Sequence, residues 1–496
     1  MTKRLWTTSV LAVVVALMLG ACQAATPSAS SSAPEASAPP AASEAPASEA
    51  PAASAAPSEA PALNLPAVPT GYTELDKALG ADKPYNGTKV SIQTQWTGGE
   101  GEGFANAIKD FQAATGIAVQ VDSIGSSHET VLKTRIDGGK PPDIAQLAQP
   151  TPILAYAAQN KVIDVATFMD AKKLSDEHPA TIGLITQGSK IWGVPYKADV
   201  KSTIWYPIKA FEAKGYAVPT TWDELIALSD KIVTDGSNPW CVSAGGPGTA
   251  TGWQLTDWVE EVVLKTKGLQ YYNDWISHKI PFSDPGIKDA FDKYVGKILF
   301  TPNYVFGTNT NIVNQDQKTT MDPMFTDDLA NPKCWMQKIP TWYGPDFFPD
   351  QRVSLQPSKY VVGTDVGIFP FPTIDPNQKN AEGSADTMMM LVDRPEVRAV
   401  MEFFAVPEGI QAWIAAGSAI STNTSTPADW YAGAYKLKVA ADIANNASGI
   451  GFDASDLMPA KVGAGTFWTK MDDWANANGA DTDAVLKAID DSWPAS

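Results

Sequence analysis

The hydrophobic and polar positions divide the chain into three regions. Lys3 and Arg4 precede an uncharged run, Leu5 to Ala21, in which Val10 to Leu19 is wholly apolar. A membrane-spanning helix needs about 20 apolar residues. This run is shorter and contains Thr7, Thr8 and Ser9, so it predicts a secretory signal over 1–21. Residues 24–62 then hold only Ala, Pro, Ser and Glu apart from Thr26. None of these can build a core, and scattered Pro prevents one long helix. That predicts a semi-extended tether over 22–62.

The remainder alternates between the two secondary-structure periods. Val90, Ile92 and Thr94 share one face of a first strand from Lys89 to Trp96. After a predicted loop over 98–103, apolar residues at 104, 107, 108 and 111 mark an amphipathic helix from Phe104 to Ala114. Gly116 ends it, and Ile117 to Val121 reads as the next strand. A strand–helix–strand unit predicts a parallel sheet and an α/β class. Val131 to Ile136 and Ile153 to Asn160 read as helices, with a short strand Ile144 to Leu147 between them. Thr221 and Glu224 form a capping box for a helix reaching Val233. Further helices are expected at 255–266, 287–298, 395–404, 408–416, 430–445 and 481–492.

Charge narrows the partners. The formal charge is −18. Residues 1–62 carry two basic and four acidic groups, so the folded part carries −16. Such a balance disfavours nucleic acid and anionic membrane surfaces as partners. His128, His178 and His278 are isolated in sequence, which suits surface or capping roles; no metal or cofactor is expected. The sequence contains no GxxxxGK[ST], HExxH, GxSxG or CxxC motif. Carboxylate pairs are numerous, so a surface glycoside hydrolase working through two acids stays open as an alternative. Leu19-Gly20-Ala21-Cys22 resembles the bacterial lipobox. That implies acylation of Cys22 and anchoring at the extracytoplasmic membrane face through lipid only. Cys241 and Cys334, 93 residues apart, are then free to pair in an oxidising compartment. The 16 Trp outnumber the 14 Tyr and nearly match the 17 Phe.

A series of short motifs carries a family resemblance over roughly 89–493. In order they are Phe111-Gln-Ala-Ala-Thr-Gly116, Gly138-Gly-Lys-Pro-Pro-Asp-Ile144, Gly193-Val-Pro-Tyr196, Trp205-Tyr206 and Pro219-Thr-Thr-Trp-Asp-Glu-Leu225. Gly367-Ile-Phe-Pro-Phe-Pro372, Gly417-Ser-Ala-Ile-Ser421 and Asp453-Ala-Ser-Asp-Leu-Met-Pro459 follow. The chain resembles the extracytoplasmic solute-binding proteins of ABC transporters, in the carbohydrate-binding branch related to maltose-binding protein. It is most similar to the α-glucoside-binding members. Trp192, where many members carry Tyr, and the long tether depart from the pattern.

The resemblance implies a two-lobed type II periplasmic-binding fold with ligand in a hinged cleft. Lobe one is expected at 87–200 plus 363–400, and lobe two at 201–362 plus 401–496. It further implies a monomer that captures an oligosaccharide, closes on it and docks on the permease subunits. A peptide or polyol ligand on the same fold is a second alternative.

A sugar ring presents an apolar face to aromatic rings and a hydroxyl rim to carboxylates, amides and Lys. Trp96, Glu100 and Glu102 follow the first strand at its carboxyl end, where ligands sit in open α/β sheets. Tyr196, Lys197 and Asp199 lie at the expected first crossing between lobes. Trp253 follows a turn-rich loop, and Trp342 sits between Pro340 and Pro345. Asp386, Met388 and Trp468 resemble cleft-facing positions of the family. With Trp96, Glu100, Glu102, Tyr196, Lys197, Trp253 and Trp342 they complete the expected ligand set.

Overall fold

The computed structural model describes residues 63–245, 251–317, 319–325, 331–343, 361–431 and 433–495. The signal, the tether and the Cys22 acylation site lie outside the described residues. Among the described residues, thirteen strands form two main sheets and one short hairpin.

The first sheet begins as predicted. β1 (Lys89–Thr94), β2 (Ala118–Ser123) and β3 (Ile144–Leu147) run parallel, with β1 in the middle. The helix Gly99–Thr115 makes the crossover and is capped by the left-handed Gly116. β4 (Thr186–Gln187) and β5 (Lys190–Ile191) form the hairpin. β6 (Val194–Val200) and β7 (Thr203–Pro207) are almost continuous, yet they belong to different sheets. The second sheet contains β7, β8 (Asn238–Trp240), β9 (Cys334–Lys338) and β10 (Val366–Pro370), in the order β10-β7-β9-β8. β11 (Ala381–Met390) returns to the first sheet, where it lies between β6 and β3 and antiparallel to both. β12 (Ile420–Ser421) pairs with β6, and β13 (Ile450–Phe452) with β11.

Each sheet has its own core. Val90, Ile92, Phe104, Met389, Phe403 and Trp413 belong to the first, and Ile204, Trp258, Phe291, Met336, Met471 and Trp474 to the second. These are the two lobes of the type II solute-binding fold. Their membership departs from the expected boundaries. β10 lies within the stretch 363–400 but pairs with β7 in the second sheet. Conversely, Met401 to Leu437 contributes to the first core. Strand pairing decides this, because a strand's edge must be satisfied by the sheet it joins. The chain therefore changes lobes at Lys201–Ser202, between β10 and β11, and again around Asp453, just past β13.

The predicted loop over 98–103 is the first turn of the helix Gly99–Thr115. Gly103 is what lets that helix pack. A Cβ there would lie 2.4 Å from the indole nitrogen of Trp413, so only a bare backbone fits under the ring. His128 and His178 are buried rather than exposed. His128 Nε2 contacts the Gln146 carbonyl at 2.6 Å, and His178 Nδ1 contacts Thr422 Oγ1 at 3.0 Å. The Thr221–Glu224 capping box forms as expected, and Cys241 is bonded to Cys334, fastening β9 to the segment after β8. Among the described residues no helix is long and apolar enough to cross a membrane.

The Gly103 contact yields a stability prediction. Gly103→Ala should destabilise the protein by about 1–3 kcal/mol, the usual cost of overfilling a packed core. Urea unfolding followed by tryptophan fluorescence measures it. A neutral or stabilising effect, as expected for Gly→Ala in an open helix, would contradict the packing described.

Candidate functional site

The cleft between the lobes is built where β6 leaves the first sheet. Lys197 on β6 faces Asp386 on β11 in the sheet register, beside an irregularity between Asp386 and Thr387. The Lys197 ammonium lies 3.1 Å from Glu100, 2.6 Å from Asp199 and 3.7 Å from Asp386. All four side chains are buried and line the same cavity. Burial pushes the Glu100 carboxyl up to about 7 despite the Lys197 charge, and Asp386 up to about 6 for the same reason.

Four residues further on, Lys201 stands at the first lobe crossing. Its ammonium lies 2.9 Å from Asp257 on the helix Trp253–Lys267 and contacts Asp453 at the third crossing. Asp453 also caps the short helix Ala454–Leu457, accepting from the Asp456 backbone N–H at 3.0 Å and from Ser455 Oγ at 2.8 Å. Against the desolvation of full burial, Lys201 and these donors hold Asp453 below its usual range. Behind Lys201, Lys338 meets Glu382 at 3.3 Å, and Ser202 Oγ donates to Glu261 at 2.7 Å while accepting from the Glu382 N–H at 2.7 Å. Carboxylate oxygens of Asp257, Glu260, Glu382 and Asp453 lie within 4.8 Å of one another, spacing that could hold a metal ion. Two ammonium groups, Lys201 and Lys338, already supply positive charge there.

The aromatic wall comes from the second lobe. Gly252, at φ 95°, precedes the helix Trp253–Lys267. A Cβ on it would lie 2.1 Å from the Trp468 carbonyl. Only glycine permits that approach, and it brings Trp253 and Trp468 to one side of the cleft. Trp253 packs on Trp342 with ring centroids 6.0 Å apart. Trp468 is fixed by its indole N–H, which donates to Ser455 Oγ at 3.0 Å. The space at the cleft, counted with the open solvent at its mouth, is about 1020 Å³.

Six expected ligand residues therefore meet in one cavity: Glu100, Lys197, Trp253, Trp342, Asp386 and Trp468. Four do not line it. Trp96 and Tyr196 are each 1% exposed and pack with Phe104 and Trp413; the Tyr196 hydroxyl donates to the Gly409 carbonyl at 2.7 Å. Met388 is fully buried in the first core. Glu102 is exposed, because the helix that turns Glu100 inward turns a residue two positions on to another face. Sequence reasoning missed Gln149, Lys201 and Asp456 as cleft residues. Asp453 and Asp456 stood in a recognised motif without a role. The signal available was a strand end followed by a helix cap.

This architecture, two α/β lobes crossed three times with a polar and aromatic cleft at the crossings, is that of a solute-binding protein. Residues 95–415 match the family model of bacterial extracellular solute-binding proteins, and the chain belongs to that family. It is 32% identical over 412 residues to the osmoprotective compounds-binding protein GgtB of Synechocystis, covering 82% of this chain and 92% of the relative. It is also 32% identical over 419 residues to the α-glucosides-binding periplasmic protein AglE of Rhizobium meliloti, covering 82% and 87%. Among solved structures, the bacterial solute receptor AcbH superposes with a TM-score of 0.69 at 15% identity, covering 82% of this chain and 98% of that one. RafE in complex with raffinose superposes at 0.61 and 18%, covering 82% and 98%.

Stability should carry the signature of Glu100. Its carboxyl is raised in the folded state from about 4.5 to about 7. Between those values the native protein holds a proton that the unfolded chain has released. Stability from this group is thus complete below about pH 4.5 and is lost as pH rises toward 7. Glu100→Gln should flatten the fall in unfolding free energy between pH 4.5 and 7, measured by urea titration. An unchanged slope would contradict the burial.

Proposed function

We propose that the protein captures an oligosaccharide of α-glucoside type outside the cytoplasm and delivers it to the permease of an ABC transporter. The observation that carries this reading is the pairing of three Trp rings with buried carboxylates in one cleft. Rings cover the C–H faces of a pyranose, while Glu100, Asp386 and Asp453 accept from its hydroxyls. One relative at 32% identity, AglE, is named as an α-glucosides-binding protein, which supports this reading.

In this reading, ligand bound to residues of both lobes favours the closed arrangement, because contacts with both walls exist only there. The permease then receives the closed, loaded form. The sequence Leu19-Gly20-Ala21-Cys22 supports acylation at Cys22, with residues 22–62 as the tether that keeps a monomeric body near its permease.

The test is calorimetric titration of the purified protein with maltose and trehalose. Saturable binding with the sugar left intact is expected; release of glucose or absence of binding would overturn the reading. Trp468→Ala should weaken binding by more than tenfold, since stacking of an aromatic on a ligand face contributes about 1–3 kcal/mol in the comparable nucleobase case. Unchanged affinity would remove Trp468 from the site.

A further inference from the structure

Behind the aromatic wall lies a third apolar cluster, separate from the two lobe cores. It contains Cys241, Cys334, Trp205, Met321, Met324 and Phe325, and both Trp253 and Trp342 pack against it. The Cys241–Cys334 bond runs through this cluster.

The two ends of the bond lead to two rings of the cleft. From Cys334 the chain follows β9 to Ile339, whose carbonyl accepts from the Trp205 indole N–H at 3.1 Å. Next comes Thr341, whose backbone N–H donates to the Val200 carbonyl at 3.0 Å. Trp342 is thereby tied to the first lobe crossing. From Cys241 the chain leads to Ser243, whose hydroxyl donates to the Gln254 side chain, and to Ala244, whose carbonyl accepts from the Gly252 N–H at 2.6 Å. Trp253 stands between those two contacts. Leu255 and Trp258, further along its helix, belong to the second core, whereas Trp253 itself rests on the third cluster.

Backbone pairing fastens the Trp253 side to β9 only briefly. The β8 register covers Asn238 to Trp240. Past it, the Cys241 N–H donates to the Met336 carbonyl at 2.9 Å, and Ala244 turns away to donate to Ile312 at 3.2 Å. The packing in between is adaptable, since methionines such as Met321 and Met324 fill gaps in several ways. A disulfide instead holds its Cα atoms within a narrow range, here 5.4 Å apart.

We infer that Cys241 and Cys334 are positioning residues of the solute site. Their bond sets the spacing of Trp253 and Trp342, now 6.0 Å between centroids at an interplanar angle of 38°, and with it the affinity for a sugar ring lying against both. The affinity half of this inference rests on the saccharide reading above; the ring spacing does not.

The experiment compares four full-length proteins: wild type, Cys241→Ala with Cys334→Ala, Trp342→Ala, and all three substitutions together. Each is titrated calorimetrically with maltose and trehalose under conditions where urea unfolding shows it fully folded. Losing the bond should weaken binding about fivefold, the low end of what one aromatic-face contact contributes. In the Trp342→Ala background that loss should vanish, because there is no longer a pair to space. Unchanged affinity with lowered unfolding free energy, or a loss that adds in full to that of Trp342→Ala, marks a bond that only stabilises the fold and overturns the inference. If the cysteine variant does not fold, Ser243→Ala cuts the path to Trp253 with the bond intact, and the same cycle with Trp342→Ala decides. If neither sugar binds the wild type, the saccharide reading falls, and the spacing is read without ligand from circular dichroism in the tryptophan exciton band. Loss of the bond should change that band when Trp342 is present and leave it unchanged in Trp342→Ala. No change with Trp342 present overturns the inference.

Discussion

The structure depends on keeping buried charge paired where the chain passes from one lobe to the other. An isolated ion in a protein interior costs several kcal/mol even after relaxation. Here Lys201 occupies the first crossing, Glu382 stands at the start of β11 just past the second, and Asp453 lies at the third. Lys201 joins Asp453 to Asp257, Lys338 meets Glu382, and Ser202 links Glu382 to Glu261. The three connecting segments are thus tied through one polar cluster rather than through apolar packing alone. Breaking one partner would strand the others, so the cluster fixes how the segments meet. Apolar contacts fill gaps in many ways, whereas ion pairs with hydrogen bonds accept few geometries.

That cluster also forms the floor of the cleft. Lys201, Asp453 and Asp456 serve the crossings and line the cavity at once. Any ligand that touches them reaches the segments on which the lobes turn. The second lysine, Lys197, repeats the scheme earlier on β6 with Glu100, Asp199 and Asp386. A solute-binding protein needs ligand contacts coupled to lobe movement, and placing the polar wall on the crossings provides that coupling with few residues.

The start of the first sheet and several residues of the candidate cleft were legible in the sequence for different reasons. The first strand–helix–strand unit carried strong periodicity, and the Thr221 helix carried its capping box. Both elements are present, although the first helix begins at Gly99 rather than Phe104. Trp468, Trp253 and Trp342 were legible because a Trp in a loop or at an element end lacks an obvious core to fill. Trp96 broke that logic. It too sits at an element end, but the helix start at Gly99 and the bare backbone at Gly103 draw it, with Trp413, into the core. Glu102 failed for the same local reason, since a loop became a helical turn. Lobe membership of 366–370 could not be read from pattern, because an apolar strand of five residues fits either sheet. Only its pairing with β7 decides. Lys201 was invisible because its partners, Asp257 and Asp453, are 56 and 252 residues away.

The central claim is that the cleft at the crossings is where solute is held. A crystal structure grown with an α-linked glucose disaccharide tests it most directly. The account predicts pyranose density between Trp253 and Trp468, with hydroxyls within hydrogen-bonding distance of Glu100 or Asp453 and the lobes closed over it. Sugar density elsewhere on the protein, with this cleft holding only water, would contradict it.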